Sequence, residues 1–189
     1  MSRLSALSID ALPSDLKAIM TAGEDIMGFT PNDGLIMARS PLMLKAFLGL
    51  VQSIYQPSAL DNDLKKLLGL MTSSASGCQY CQAHTQYGAL KHGITEQKVA
   101  AIWEYQSSEL FSPAEREALD VARNAALVPN AVTDEQFTRL KNHFSEVQIV
   151  EIVAVISLFG FLNRWNATFK TDIEAAPAMA STKFSSMGK

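Results

Sequence analysis

Cysteine is scarce in this sequence, whose 189 residues contain only Cys78 and Cys81. A secreted scaffold held together by disulfides has more cysteines, spread along the chain, so that class of protein is excluded. Long runs of lysine and arginine are also missing, and the formal net charge is −3. Because broad nucleic-acid binding needs clustered positive charge, no nucleic-acid partner is expected.

The N-terminal residues lack the basic and then apolar segments of a secretory signal peptide. The most apolar stretch, residues 149–162, is short for a membrane span and contains Glu151. We therefore expect a cytoplasmic protein without a membrane partner. Hydrophobic residues make up 48% of the chain and charged residues 19%, which excludes disorder and suffices for one hydrophobic core.

Strand signals are weak, since no run alternates β-branched and polar residues. Helix starts are well marked instead: the capping-box pattern occurs at Ser112, Thr133 and Ser145, each followed by apolar residues at helical spacing. These patterns predict an all-α protein with a single domain over residues 1–176. The domain is expected to be a bundle of about seven to nine helices, followed by a flexible tail at 177–189.

The most informative stretch reads Cys78-Gln-Tyr-Cys81-Gln-Ala-His84. Gly77 is expected to end the preceding helix, so that Cys78 starts the next helix and Cys81 lies in its first turn. The unpaired amides and the helix dipole there favour a thiolate. His84 follows three residues after Cys81, on the same helix face, where it can accept the thiol proton. The pattern therefore indicates a redox-active C-x-x-C pair at a helix N-terminus.

Other uses of a C-x-x-C pair fit the spacing less well. Covalent haem attachment requires histidine directly after the second cysteine, where Gln82 stands. A structural zinc site needs a fourth ligand besides the two cysteines and His84, and nothing in the spacing assigns His92 or His143 to that role. Burial of both cysteines as small hydrophobic residues stays a further alternative. We expect no metal and no cofactor.

A redox dithiol works faster with an acid or base nearby to move protons. Glu151 is the first candidate, because the neighbours on its helix face, such as Ala154, Val155 and Leu158, are apolar. Burial there would raise its pKa towards the range useful for proton transfer. The alternative is a structural acid bonded to a helix end or an arginine. Glu115 is a second candidate, although its capping-box position explains it without catalysis.

Taken together, several segments resemble the alkylhydroperoxidase D-like (AhpD-like) proteins of the carboxymuconolactone decarboxylase superfamily. The segments are GFTPN (28–32), MARSP (37–41), SGCQYCQAH (76–84), FSPAER (111–116) and GFLNRWN (160–166). The resemblance implies an all-α fold, a homo-oligomer (trimer or hexamer) and peroxiredoxin-type reduction of hydroperoxides. By this analogy Cys81 attacks the peroxide, Cys78 resolves the intermediate as a disulfide, and an external dithiol reduces that disulfide.

This sequence departs from the resemblance at two positions that matter for proton transfer. Members have a glutamate twelve residues before the first cysteine, where this chain has Lys66. They usually have a histidine four residues after the second cysteine, whereas here His84 comes three residues after it and Thr85 occupies the fourth position. The proton relay of the family is therefore either formed by other residues in this chain or weakened.

The leading hypothesis is an antioxidant thiol-dependent peroxidase with Cys81, Cys78, His84 and Glu151 as its catalytic residues. One alternative is a non-enzymatic redox sensor or assembly module on the same scaffold. The other is a carboxymuconolactone decarboxylase-like enzyme, which is disfavoured because that chemistry does not need a dithiol.

Overall fold

The computed structural model describes residues 1–185, which form ten α-helices and no β-strand. The helices are α1 (Ser14–Met27), α2 (Asn32–Met37), α3 (Pro41–Tyr55), α4 (Asn62–Ala75), α5 (Gln79–Lys91), α6 (Glu96–Ala100), α7 (Pro113–Ala125), α8 (Asp134–Lys141), α9 (Glu146–Phe169) and α10 (Ala175–Ser185). The all-α prediction is confirmed, with slightly more helices than expected. The additional helix is α10, which occupies most of the predicted flexible tail; residues 186–189 of that tail lie outside the described residues. The domain limit at residue 176 stays a prediction.

The capping boxes predicted at Ser112, Thr133 and Ser145 are all formed, at the starts of α7, α8 and α9. In each box the N-cap hydroxyl accepts a hydrogen bond from the backbone N–H three residues later, and the side chain of that later residue binds the N-cap N–H. Helix-end amides that would otherwise lack a partner are satisfied in this way, which explains why these helices begin where the sequence predicts.

The centre of the fold is α4, which packs against α5, α7 and α9. Leu67, Leu68 and Met71 on α4 are fully buried in the main hydrophobic core. Gly69 faces Phe159 of α9 so closely that a Cβ atom would overlap the aromatic ring. A glycine at this position therefore allows α4 and α9 to approach each other.

The longest helix is α9, with 24 residues, and by length and composition alone it could cross a membrane. It extends well beyond the apolar stretch at 149–162. It packs against α4, α5 and α7 and buries Ile149, Ile152 and Val155 in the main core. These contacts are those of a core helix in a folded domain.

Three segments that are distant in sequence meet around the start of α5. Gly77, in a left-handed conformation with φ 69°, ends the turn after α4 and leads directly into α5. The packing of α10 along α5 brings the α9–α10 connection, residues 170–174, to the same region. Hydrogen bonds from Asn32 to Asp172 and Glu174 join the start of α2 to that connection.

Candidate redox site

Cys78 and Cys81 are both free and buried at the start of α5, each with 3% of its surface exposed. Cys78 is the N-cap residue, and its Sγ accepts a hydrogen bond from the backbone N–H of Cys81 at 3.4 Å. The two Sγ atoms lie 3.0 Å apart, within hydrogen-bonding distance. One turn of chain therefore holds both sulfurs beside the amides of a helix N-terminus.

This environment shifts the pKa values of the two thiols in opposite directions. A hydrogen bond from the Cys81 thiol lowers the pKa of Cys78 to about 7, although burial opposes the shift, and the backbone N–H groups of Cys81 and Tyr80 lower it further. The pKa of Cys81 is raised, because its proton is held in the hydrogen bond to Cys78 and because the side chain is buried. The geometry favours Cys78 as the resting thiolate, whereas the resemblance assigns the attack to Cys81.

His84 forms a close pair with Glu174, a residue that the sequence analysis did not select. Its Nε2 lies 2.5 Å from Glu174 Oε2, while Glu174 Oε1 accepts hydrogen bonds from the Tyr80 hydroxyl at 2.9 Å and the Asn32 N–H at 2.5 Å. Burial disfavours the Glu174 anion, but the hydrogen bonds from His84 and Asn32 outweigh it and lower the pKa of Glu174. An ionised carboxylate thus orients the His84 ring and can stabilise it after it takes up a proton.

Two aromatic rings fix the position of His84. Tyr80 stacks on the imidazole with ring centroids 4.0 Å apart, and Phe29 meets it edge-on at 5.2 Å. Burial, together with the charges of Asp33 and Glu174, raises the pKa of Tyr80. Its hydroxyl therefore keeps its proton at neutral pH and stays a hydrogen-bond donor to Glu174.

A second set of polar side chains, Asn166 and Asp33, lies next to the sulfur of Cys81. Asn166 of α9 is 2% exposed, and its Nδ2 lies 3.6 Å from Cys81 Sγ and 3.2 Å from Asp33 Oδ2. The other carboxylate oxygen of Asp33 accepts a hydrogen bond from the N–H of Gly34 at 2.7 Å. Burial raises the pKa of Asp33, although the nearby His84 charge and the Asn166 hydrogen bond act in the opposite direction.

Glu151 has partners other than those expected of a residue that transfers protons at the dithiol. Its Oε2 accepts hydrogen bonds from Ser58 Oγ and from the backbone N–H of Leu60, both at 2.8 Å. Ser58 in turn accepts a hydrogen bond from the fully buried Lys65 at 2.7 Å. Burial opposes ionisation of Glu151, but these partners lower its pKa. The expectation that the pKa of Glu151 is raised is therefore wrong. Glu151 binds residues of the α3–α4 connection, and the carboxylate beside His84 is that of Glu174.

The other two positions considered for proton transfer also have partners of their own. Lys66 lies over the ring of Tyr55, with Nζ 4.4 Å from the ring centroid, and burial lowers its pKa. Glu115 closes the capping box of α7 and forms an ion pair with Lys98 at 2.6 Å. These contacts account for both side chains without proton transfer at the dithiol.

The sequence offered only a faint signal for the residues that complete the site. Asp172 and Glu174 are the only acidic residues after Glu151 in the chain. Glu174 stands 90 residues after His84, and Asn166 stands 133 residues after Asp33, so no local spacing connects either pair. Only the packing of α9 and α10 beside α5 brings these side chains together.

A groove of about 720 Å³ is lined in part by the C-terminal end of α4 and by α9. Most of its lining is apolar and includes Val121, Leu127 and Ile156, while Ser76 and Asn163 contribute polar atoms. Ser76 precedes Cys78 by two residues, and Asn163 precedes Asn166 by one helical turn. The volume lies in the range of small-molecule binding sites.

Comparisons with known proteins indicate the family of the chain. A family model described as the carboxymuconolactone decarboxylase family matches residues 41–124, which include the C-x-x-C pair. The uncharacterised protein YdfG of Bacillus subtilis strain 168 is 31% identical over 111 residues, covering 58% of this chain and 73% of YdfG. The uncharacterised protein YnjA of Escherichia coli K12 is 28% identical over 125 residues, covering 66% of this chain and 68% of YnjA.

Solved structures show the same fold over almost the whole chain. The debrominase Bmp8 without ligand is 35% identical, with a TM-score of 0.88 over 95% of this chain and 96% of Bmp8. A cysteine-to-alanine variant of Bmp8 in complex with 2,3,4-tribromopyrrole is 34% identical, with the same TM-score and coverage. The AhpD core of a peroxidase-related protein from Ralstonia eutropha JMP134 has a TM-score of 0.82 over 93% of this chain and 94% of that one; at 22% identity it supports the fold alone.

Proposed function

The chain is a member of the carboxymuconolactone decarboxylase superfamily with an AhpD-like fold, and from this premise we propose that it is a thiol-dependent reductase of hydroperoxides. The observation that carries the proposal is the pair of free sulfurs 3.0 Å apart at the start of α5, with Cys78 accepting a helix-end amide. A dithiol at this spacing can give up two electrons and close as a disulfide after only a small movement.

In the first step, the Cys78 thiolate attacks the terminal oxygen of a hydroperoxide. The S–O bond forms as the O–O bond breaks, so Cys78 becomes a sulfenic acid and the peroxide leaves as an alkoxide. The alkoxide takes up a proton and departs as the alcohol. His84 supplies that proton and is stabilised in its charged form by Glu174, 2.5 Å away. Glu174 thus takes the relay role first expected of Glu151.

In the second step, Cys81 loses its proton and attacks the Cys78 sulfenic sulfur. The S–S bond forms, the S–O bond breaks, and hydroxide leaves with the proton as water. An external dithiol then reduces the disulfide by two successive exchanges and is itself oxidised. The roles proposed for Cys78 and Cys81 are the reverse of those that the resemblance implies, because Cys78 is the N-cap residue and its Sγ accepts the backbone N–H of Cys81, which favours its thiolate.

Reductive debromination of a small brominated heteroaromatic compound is a second candidate function. It is favoured by the similarity to Bmp8, which is higher in identity than that to the AhpD core and covers 95% of this chain. The electrons balance with the same dithiol: one C–Br bond is replaced by C–H, the two thiols become a disulfide, and bromide and a proton are released.

We also propose that the protein works as a homo-oligomer. Only Leu44 is buried among the 15 residues of the apolar helix α3, and Leu42 on the same helix is 83% exposed. The outer face of α9 exposes Val147 and Val150 as well. A second copy of the chain packing on these helices would remove this apolar surface from water. Sedimentation of the purified protein tests this, and a monomer at micromolar concentration would contradict it.

The experiment that tests the function is anaerobic reduction of the protein followed by mixing with cumene hydroperoxide. Fast disulfide formation with one alcohol per disulfide, sustained by an added dithiol, supports the peroxidase. Oxidation no faster than that of a free thiol refutes it, and a parallel reaction with 2,3,4-tribromopyrrole that releases bromide then favours the debrominase. Fast oxidation in a single turnover without sustained consumption indicates a redox sensor. Lactone turnover that survives Cys81→Ser would favour the decarboxylase-like alternative.

A further inference from the structure

The buried contact between Asn166 and Cys81 has no role in the two proposed steps. Asn166 Nδ2 lies 3.6 Å from Cys81 Sγ, within the range of an N–H···S hydrogen bond, and Asn166 is 2% exposed. A buried amide aimed at a sulfur acts on whatever charge that sulfur carries, because water cannot compete for it.

Asp33 determines which end of the amide faces the sulfur. Its Oδ2 accepts a hydrogen bond from the same Nδ2 of Asn166 at 3.2 Å, while its Oδ1 is held by the N–H of Gly34 at 2.7 Å. A carboxylate attracts the NH₂ end of an amide and repels the carbonyl end. Asp33 therefore keeps the donor nitrogen of Asn166, rather than its oxygen, next to Cys81.

We propose that Asn166, anchored by Asp33, is a positioning residue that stabilises the negative charge on Cys81 when this cysteine loses its proton to attack the oxidised Cys78. The inference rests on the proposed function and assigns Asn166 to its second step. As the S–H bond of Cys81 breaks, the proton leaves with the hydroxide from Cys78 as water, and the electron pair stays on a sulfur that already accepts an N–H hydrogen bond. Hydrogen bonds to a charged form favour that form.

Several titratable and polar groups lie around Cys81. Cys78 on the same helix and Asp33 at the start of α2 both act to raise the pKa of Cys81, whereas Asn166 of α9 acts to lower it. Tyr80 and His84 on α5 and Glu174 of the α9–α10 connection form the neighbouring network. The test must therefore remove the Cys78 charge and leave the other groups in place.

The Cys78→Ser variant provides that background, because Cys81 is then the only thiol. The rate of Cys81 alkylation by iodoacetamide is measured against pH, with and without Asn166→Leu. Loss of a hydrogen bond to a charged group is expected to raise the pKa of Cys81 by about one unit, so that alkylation below this pKa slows about tenfold. The matched control is Asn163→Leu, which removes a buried amide that binds Ser76 Oγ and the Thr72 carbonyl and makes no contact with sulfur. It should change the rate less than about twofold.

The two-cysteine protein supplies a second measurement. After mixing with cumene hydroperoxide, Asn166→Leu should form the sulfenic acid at the parent rate but close the disulfide about tenfold more slowly. If Asn166→Leu does not fold, the smaller Asn166→Ala removes the same donor and should also raise the pKa of Cys81. Superimposable pH profiles for Asn166 variants and the parent, or equal shifts for Asn163→Leu, overturn the inference. Slow oxidation of the unmodified protein refutes the proposed function instead, while leaving the single-thiol pKa comparison intact.

Discussion

The pKa of Cys78 depends mainly on the neighbouring thiol of Cys81, and this dependence can be measured. The hydrogen bond from Cys81 is the largest contribution that brings the pKa of Cys78 from 9.0 to about 7. At pH 7, a thiol with a pKa of about 7 is about half ionised, whereas a thiol with a pKa of 9.0 is about 1% ionised.

Two substitutions at Cys81 separate the hydrogen bond from the rest of the environment. Cys81→Ala removes the donor while keeping the backbone amides, so the pKa of Cys78 should rise by at least about one unit and its alkylation at pH 7 should slow about tenfold. Cys81→Ser keeps a hydroxyl donor near the same position, so most of the shift should remain. Because serine and alanine differ only in this hydroxyl, cavity effects are nearly matched.

The assay is carbamidomethylation of Cys78 between about pH 5 and 10, followed by peptide mass analysis that distinguishes the two cysteines. The parent should titrate with a midpoint near 7 at Cys78. The reasoning is refuted if Cys78 in the parent titrates near 9, or if the Ala and Ser variants give the same profile. A midpoint near 7 at Cys81 in place of Cys78 would restore the order that the family resemblance implies.

Three further predictions concern the relay and the packing. Glu174→Gln should slow oxidation of the dithiol by cumene hydroperoxide at least about tenfold in a stopped-flow assay. Glu151→Gln should keep the oxidation rate within about twofold of the parent rate in the same assay. Equal effects of the two substitutions would contradict the assignment of Glu174. Because the pKa of Glu174 is lowered below 4.5, its stabilising contribution is complete above the unfolded-state pKa and is lost as pH falls through the folded-state value. Urea unfolding below about pH 4.5 should therefore show a steeper loss of unfolding free energy in the parent than in Glu174→Gln, and parallel curves would refute this. Gly69→Ala should lower the unfolding free energy by about 1–3 kcal/mol, because the added Cβ meets the ring of Phe159. Gly23→Ala on α1 has open space around it and should raise the unfolding free energy by up to about 1 kcal/mol. Urea unfolding of both variants tests this, and a Gly69→Ala variant as stable as the parent would contradict the close packing.

The sequence alone was enough to predict the local features of this protein. The starts of α7, α8 and α9 follow from capping residues whose partners lie only three positions away. The membership in the superfamily likewise follows from short motifs, of which the C-x-x-C segment is the most specific. Such features are readable because their interactions involve neighbouring residues, so residue type and spacing largely determine them.

The composition of the proposed proton relay depends on the tertiary structure. Glu151 and Glu174 are both acids in the C-terminal half of the chain, and the sequence analysis selected Glu151, whereas the carboxylate beside His84 is Glu174. The register of α9 against α4 directs Glu151 to Ser58 and Leu60, while the packing of α10 along α5 brings Glu174 to His84.

The Asn166–Asp33 pair depends on the tertiary structure in the same way, because 133 residues separate its members. The acidity of a buried carboxylate or thiol depends on the few groups within hydrogen-bonding distance of it. For this chain those groups come from three separate segments, around Asn32, the start of α5 and the region from α9 to α10. The local sequence therefore determines where the dithiol lies, and helix packing determines which side chains tune its chemistry.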